Sequence, residues 1–409
     1  MDTKRKIIND PVFGFINIPD DFIFGIINHP YIQRLNRIRQ LGLAFYVYPG
    51  AVHTRFHHSL GAMHLMSEAI SQLRSNGHPV SDEEKSGAMA CILMHDLGHG
   101  PFSHVLENTL VSGIHHEEIS LLLMNRMNRE MGGQLDLAIA IFGDTYPKRF
   151  LHQLVSGQLD VDRLDYLRRD SFFTGVTEGN IGSARILKML NLKDDKLVIE
   201  AKGIYSIENF LMARRLMYWQ VYLHKTAVAA ENMLINTLRR AKYLASQGVE
   251  LDATPALRYF LYNPVDKTTF TNHPEALDFF VELDDNDIWC ALKEWGKHPD
   301  KVLSLLSQGL LSRELFKIEM SQTPVSPDVL AEKTAIYVRK YSLPFEDASY
   351  LLSANAITTD MYREEDDSIA ILYKDGTIKD ISEASDMLNI QLLSKKIMKY
   401  YLCFLRDSK

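Results

Sequence analysis

No stretch of this sequence is apolar for the roughly 18 residues that a membrane-spanning helix requires, so the chain is not read as an integral membrane protein. Cysteine is scarce. Cys91, Cys290 and Cys403 lie far apart, form no Cys-x-x-Cys pair and leave an odd number, which argues against a disulfide framework and for small buried apolar side chains. An excess of positive charge is lacking as well: the net charge is −7 with both signs interspersed, which argues against a general nucleic-acid surface and leaves room for a local basic pocket. The expected partner is a small molecule. The first residues are basic, but Asn9, Asp10 and Pro11 interrupt any apolar core of a secretion signal, and a cytoplasmic protein is expected. Internal repeats, low-complexity tracts and a clear linker are also missing.

What is present is a 46% apolar content over 409 residues, enough for a large core. Helical patterning dominates the first two thirds. Apolar residues recur at three-and-four spacing in Tyr31–Leu41, Ser59–Leu73 and Asp160–Asp170, and in a long stretch from Ser206, read as its cap, to Gln247 before Gly248. Ser81 and Glu84 form a capping box that opens the run SGAMACILM, which ends at His95-Asp96 where Gly98 and Gly100 turn the chain. LVIEA after Asp194-Asp195 reads as a strand. IAILY and TIKDI, flanking Lys374-Asp375-Gly376, read as a hairpin because Asp-Gly favours the tight turn. The acidic run at 363–367 reads as a solvated turn. The fold class is therefore mainly α with small β-hairpin accessories, divided into a core over residues 1–250 and an α+β region over 251–409 packed on it.

The chemistry concentrates in His58, the adjacent His95-Asp96, and Asp162. Two imidazoles and two carboxylates suit one divalent cation and leave coordination positions open. His99, His104 and His116 crowd the same stretch, in the string HDLGHGPFSH and just beyond it. Near neutral pH such imidazoles carry protons, and Glu107, three residues after His104, is read either as holding its tautomer or as a capping or solvated group. Asp162, Asp165, Tyr166 and Arg169 share one helix face by their spacing. His53, His64 and His78 read as structural, Met63, Met66, Met89 and Met94 as helix-face core, and Phe45, Tyr46 and Tyr48 as packing beneath the site.

Six strings in order, NDPVFG, IQRLNRIRQLG, YPGAVHTRFHHSLG, HDLGHGPFSH, HHEE and DVDRLDYLRRD, carry a resemblance over residues 9 to about 225. The chain resembles the HD-domain superfamily, and within it the deoxynucleoside triphosphate triphosphohydrolase branch. The resemblance implies an HD-domain helical bundle that binds one divalent metal (Mn²⁺, Mg²⁺, Fe²⁺, Zn²⁺ or Ni²⁺) through His58, His95, Asp96 and Asp162. It implies catalytic roles for His99, His104, His116 and Glu117, with His104 protonating the departing 5′ oxygen. Arg55, Arg163 and Arg214 would contact phosphates, while Gln40, Leu41 and Tyr222 would leave no room for a 2′ hydroxyl. Asp170 would accept the 3′ hydroxyl with Tyr166 packed nearby. His57 stands where the family usually has Glu. Lys6, Asn9 and Gln33 match a second nucleotide pocket of mammalian members, whereas Asn28 and Asn36 replace the Asp and Arg that read guanine there. A homo-oligomer, dimer or tetramer, follows by analogy.

The expected reaction is thus water attack at the α-phosphorus of a deoxynucleoside triphosphate, releasing inorganic triphosphate. The alternatives are an HD phosphohydrolase acting on nucleoside monophosphates or on a cyclic or signalling nucleotide, against which the absence of a GYP string counts, and a nucleotide-sensing scaffold without turnover. Retention of all four ligands beside three imidazoles counts against the scaffold.

Overall fold

A computed structural model describes residues 6–102, 104–107, 109–359, 368–386 and 397–406. The acidic run at 363–367 and the side chain of His104 lie outside the described residues. The chain opens with an antiparallel hairpin, β1 (Lys6–Asp10) and β2 (Gly14–Ile18), whose turn is closed by Asp10: its Oδ1 accepts the backbone N–H groups of Val12 and Phe13, both at 2.9 Å. Six longer helices then build the site: α1 (Arg55–Ser75), α2 (Asp82–Met94), α3 (His116–Glu130), α4 (Val161–Thr174), α5 (Ile204–Met217) and α6 (Lys225–Ser246). The mainly helical architecture with small sheets agrees with the sequence reading.

α1 and α2 pack side by side, and α1 also packs on α4. The reason lies in composition. Met63, Met66, Ala69, Ile70 and Leu73 of α1 and the run Ala88–Met94 of α2 are buried, and a helix apolar on nearly every side must sit inside a core. Each such fully buried Leu, Ile or Met contributes roughly 1.5–3 kcal/mol. α2 begins as its sequence dictates, with Glu84 N–H donating to Ser81 Oγ at 3.1 Å and Ser81 N–H to Glu84 Oε2 at 2.8 Å. It ends at Met94, so His95 and Asp96 emerge where the helix stops.

Two helical expectations need correction. Helix in the Tyr31–Leu41 stretch stops early, as Pro30–Arg34 with a short 3-10 turn over Leu35–Arg37; the chain is then extended, with Arg39 bridging Thr54. Gln40 and Leu41 consequently leave the helix and run beside the start of α1. The long stretch from Ser206 is two helices, not one, and Ser206 does not cap it, because α5 starts at Ile204. After α5 come a wider-wound turn over Tyr218–Tyr222 and a break at His224, whose Nδ1 accepts the Thr226 N–H at 3.2 Å and so starts α6. A third correction concerns cysteine: Cys91 and Cys403 are buried, but Cys290 is exposed.

Strands Leu190–Lys193 and Lys196–Glu200 form a hairpin through Asp194 and Asp195, both at positive φ, and join Ala370–Leu372 and Ile378–Asp380 in one four-stranded sheet. A three-stranded sheet of Lys317–Ser321, Leu352–Thr359 and Ile397–Phe404 lies in the C-terminal half. Side chains from both halves of the chain belong to one continuous apolar core. No helix among the described residues is long and apolar enough to cross a membrane.

Candidate metal centre

His58 comes from the first turn of α1, His95 and Asp96 from the end of α2, and Asp162 from the first turn of α4. His58 Nε2 lies 3.0 Å from Asp162 Oδ1 and 3.3 Å from His95 Nε2, and His95 Nε2 lies 3.6 Å from Asp162 Oδ1. Ligand atoms of these three all fall within 4.8 Å of one another. Asp96 stands at the edge of the group. Its Oδ1 is 3.3 Å from His95 Nε2 and 3.4 Å from His99 Nε2, while its Oδ2 accepts Arg55 Nη1 at 2.6 Å.

The donor set fits a cation. His58 Nδ1 contacts Asp165 Oδ2 at 2.7 Å and His95 Nδ1 contacts the Ile92 carbonyl at 2.6 Å, so each ring gives its N–H away from the centre. Both Nε2 lone pairs then face each other and a carboxylate, an arrangement that calls for positive charge between them. The same demand for positive charge draws a proton to the His58 Nε2 position. Burial opposes a charge on His58, yet its hydrogen bonds to Asp162 and Asp165 lift it to about 10. Asp162 is half-buried, which raises it, but His58 and His95 hold it well below the ordinary carboxylate range.

The neighbouring imidazoles form a second group. The rings of His99 and His116 stack at 3.9 Å, His116 Nδ1 lies 3.1 Å from Glu107 Oε1, and His116 Nε2 lies 3.3 Å from Glu117. Ligand atoms of His99, Glu107 and His116 also fall within 4.8 Å of one another. Burial and the Arg55 guanidinium push His99 down to about 3, so it stands as a neutral imidazole. The loop carrying it is held by close backbone approach. A Cβ at Gly98 would sit 1.9 Å from the His116 carbonyl, and the Gly98 N–H donates to Ser120 Oγ at 2.8 Å.

The predicted sugar-side residues are connected in one hydrogen-bonded line. Gln40 N–H donates to the His53 carbonyl at 3.0 Å, His53 Nε2 contacts Asp170 Oδ1 at 2.7 Å, and Tyr222 Oη donates to Asp170 Oδ2 at 2.8 Å. The Gln40 Oε1 atom is buried without a hydrogen-bond partner among the described residues. Leu41 is half-buried beside it, and Tyr166 lies between His58 and Tyr222, with ring centroids 6.5 and 6.0 Å away. Of the three arginines, Arg55 reaches the metal group through Asp96, whereas Arg163 pairs with Asp160 and Arg214 donates to Gln158 at 3.0 Å. These last two guanidinium groups therefore hold the 157–160 loop.

Two further histidines flank the site without joining the metal group. His53, read as structural, is the link between Gln40 and Asp170; only its place in YPGAVHTRFHH hinted at that. His57 turns away from the metal group, and its Nδ1 accepts the Thr54 N–H at 3.2 Å, the role that Glu plays in an ordinary capping box.

Residues 55–170 match the HD domain and residues 181–254 match the HD associated region. The chain is 66% identical to a phosphohydrolase of Bacteroides thetaiotaomicron whose crystal structure superimposes with a TM-score of 0.96, covering 98% of this chain and 100% of that one. It is 32% identical over 400 residues to the Bacillus subtilis protein YwfO, which spans 94% of this chain and 88% of that protein. A Dictyostelium discoideum homolog of the deoxynucleoside triphosphate triphosphohydrolase SAMHD1 is 31% identical over 257 residues, covering 58% of this chain and half of that protein's length. With its metal-ligand group assembled from three helices and both of these regions matched in order, the chain belongs to the HD-domain family of phosphohydrolases.

Proposed function

We propose that the protein hydrolyses deoxynucleoside triphosphates to deoxynucleoside and inorganic triphosphate. The observation that carries this reading is the line Gln40–His53–Asp170–Tyr222 running beside the metal group: Asp162 and Asp170 lie on the same helix, eight residues and so about 12 Å apart. A nucleotide held between them would put its sugar against Gln40, Leu41, Asp170 and Tyr222 and its phosphates at His58, His95, Asp96 and Asp162. The partial likeness to proteins named as deoxynucleoside triphosphate triphosphohydrolases supports the same substrate class.

A bound divalent cation would neutralise phosphate charge and lower the pKa of a water. The residues of the chain supply the rest. Asp165 and the Ile92 carbonyl orient the two imidazoles, and Arg55 steadies Asp96. Neutral His99 is suited to accept or donate a hydrogen bond beside the phosphorus, and Glu107 and Glu117 orient the His116 ring stacked on it. His104 is proposed to protonate the leaving 5′ oxygen, and Arg163 and Arg214 to turn from their loop partners onto the phosphates when substrate enters. Exclusion of a 2′ hydroxyl would rest on the bulk of Leu41 and of Tyr222, whose hydroxyl is held by Asp170. The same reading carries assembly into a homo-oligomer.

Incubating purified protein with Mn²⁺ or Mg²⁺ and each deoxy- and ribonucleoside triphosphate tests the reading. Inorganic triphosphate should appear, with deoxynucleotides preferred. Release of phosphate or pyrophosphate would refute cleavage between the α-phosphorus and the 5′ oxygen, and turnover of monophosphates or cyclic nucleotides alone would replace the substrate class.

A further inference from the structure

A line of buried charges runs from the metal group to the N-terminal hairpin. Asp165 Oδ2 contacts His58 Nδ1 at 2.7 Å and also accepts Arg169 Nε at 2.9 Å, while Asp165 Oδ1 accepts Arg169 Nη2 at 2.9 Å. The remaining arm of the guanidinium, Nη1, donates to Asp10 Oδ2 at 2.7 Å. Asp165 and Arg169 have fully buried side chains, and that of Asp10 is 2% exposed. α1 makes room for this line at Gly61, where a Cβ would fall 1.9 Å from Asp165 Oδ1 and 2.2 Å from Arg169 Nη2. Phe13, in the hairpin turn that Asp10 closes, covers the guanidinium with its ring 5.6 Å away.

We propose that Asp10 is a positioning residue for the metal centre, acting through Arg169 and Asp165 on His58, so that the N-terminal hairpin sets how tightly the cation is held. The proposal rests on the reading of His58 as a metal ligand. Its physical basis is the sharing of one positive charge between two carboxylates. With Asp10 in place, Arg169 is neutralised from both sides, and Asp165 keeps enough negative charge to accept the His58 N–H strongly, which makes His58 Nε2 a better donor to a cation. Without the Asp10 charge, Arg169 draws on Asp165 alone. The His58 hydrogen bond weakens, the ring loses its fixed tautomer, and the affinity of the site drops. Burial makes each link strong, because no water screens the charges.

Asp10→Asn separates this role from a structural one. An Asn Oδ1 still accepts the Val12 and Phe13 N–H groups and keeps the hairpin turn, while the amide nitrogen that replaces Oδ2 cannot accept from Arg169. Mn²⁺ affinity of the full chain, measured from the electron paramagnetic resonance signal of free Mn²⁺, is expected to fall about 10-fold in Asp10→Asn and by at least as much in Asp165→Asn, within the range seen when partners of metal-bound histidines are removed. Asp21→Asn breaks the exposed Lys6–Asp21 pair at the same hairpin and is expected to match the unsubstituted protein. A loss smaller than about threefold in folded Asp10→Asn, or an equal loss in Asp21→Asn, overturns the proposal. Should Asp10→Asn fail to fold, Arg169→Lys, which keeps the charge but cannot fork between two carboxylates, is expected to show the same loss. If the unsubstituted protein binds no Mn²⁺, or His58→Ala binds it equally well, the metal-centre reading itself fails.

Discussion

Gly61→Ala is the substitution whose consequence the structure determines most sharply. On an open helix surface, replacing glycine by alanine stabilises by roughly 0.5–1 kcal/mol, because glycine loses more backbone freedom on folding. At position 61 the new methyl would meet Asp165 Oδ1 at 1.9 Å and Arg169 Nη2 at 2.2 Å, far inside contact distance. If Asp165 and Arg169 shift together, the cost is that of overpacking, about 1–3 kcal/mol. Should the pair instead come apart, a buried charge loses its partner and the cost rises to about 3–5 kcal/mol. After the helix gain is subtracted, the net destabilisation is about 0–2.5 kcal/mol in the first case and about 2–4.5 kcal/mol in the second. Urea unfolding followed by far-ultraviolet circular dichroism, with chelator present so that metal binding does not contribute, would show it as a lower midpoint. The shift should come with weaker Mn²⁺ binding, since His58 depends on Asp165. An unchanged or higher midpoint with unaltered metal affinity would refute the reasoning, for it would mean that α1 and α4 stand further apart than this packing allows.

Asp162→Ala removes a carboxylate 3.0 Å from His58 Nε2 and is expected to abolish both bound metal and turnover; metal analysis showing a full complement, with activity intact, would mean the ligand group is misassigned. His104→Ala is expected to keep the metal and lower kcat by about 10²- to 10⁴-fold, and an unchanged rate constant would remove it from the proton-transfer role. Tyr222→Ala opens the sugar wall beside Asp170, so the ratio of kcat/KM between deoxy- and ribonucleotides should fall; a ratio unchanged from the parent would place discrimination elsewhere. Asp285, whose carboxylate accepts the Arg39 N–H at 3.0 Å and the Phe102 N–H at 3.3 Å, is lifted by burial to about 6. Its folded-state value lies above that of the unfolded chain, so its contribution is full below about pH 3.9 and is lost as pH rises through about 6. Relative to Asp285→Asn, which cannot ionise, the parent should lose up to about 3 kcal/mol between pH 4 and 7; parallel stability curves would show that this carboxylate does not titrate there.

The stretches whose function is local were legible in advance. The Ser81–Glu84 capping box, the end of α2 at Met94 and the hairpin around Gly376 depend on hydrogen bonds within a few residues, so they follow from residue type and spacing. The break between α5 and α6 was not legible. No proline or glycine marks it, and the chain departs from a continuous helix only through the wider turn at Tyr218–Tyr222 and the cap at His224, which serve to set Tyr222 against Asp170. His57 was ambiguous for a related reason, since an imidazole can ligate a metal or cap a helix, and only the direction of its ring decides. Asp165 was recognisable as part of a polar face, yet nothing in that spacing reveals that Asp10, more than 150 positions away, lies at the other end of its arginine.

Local sequence therefore accounts for which residue types gather: His58, His95-Asp96 and Asp162 suit a divalent cation, while the nucleotide expected beside them followed from the family resemblance alone. Tertiary packing alone decided that α1, α2 and α4 bring these groups within hydrogen-bond distance, that His53 joins Gln40 to Asp170, and that Arg169 ties the centre to the hairpin. The difference is physical. Capping and turn formation depend on neighbours along the chain, whereas the orientation of a buried imidazole depends on a partner that only the folded core brings close and only low-dielectric surroundings make strong.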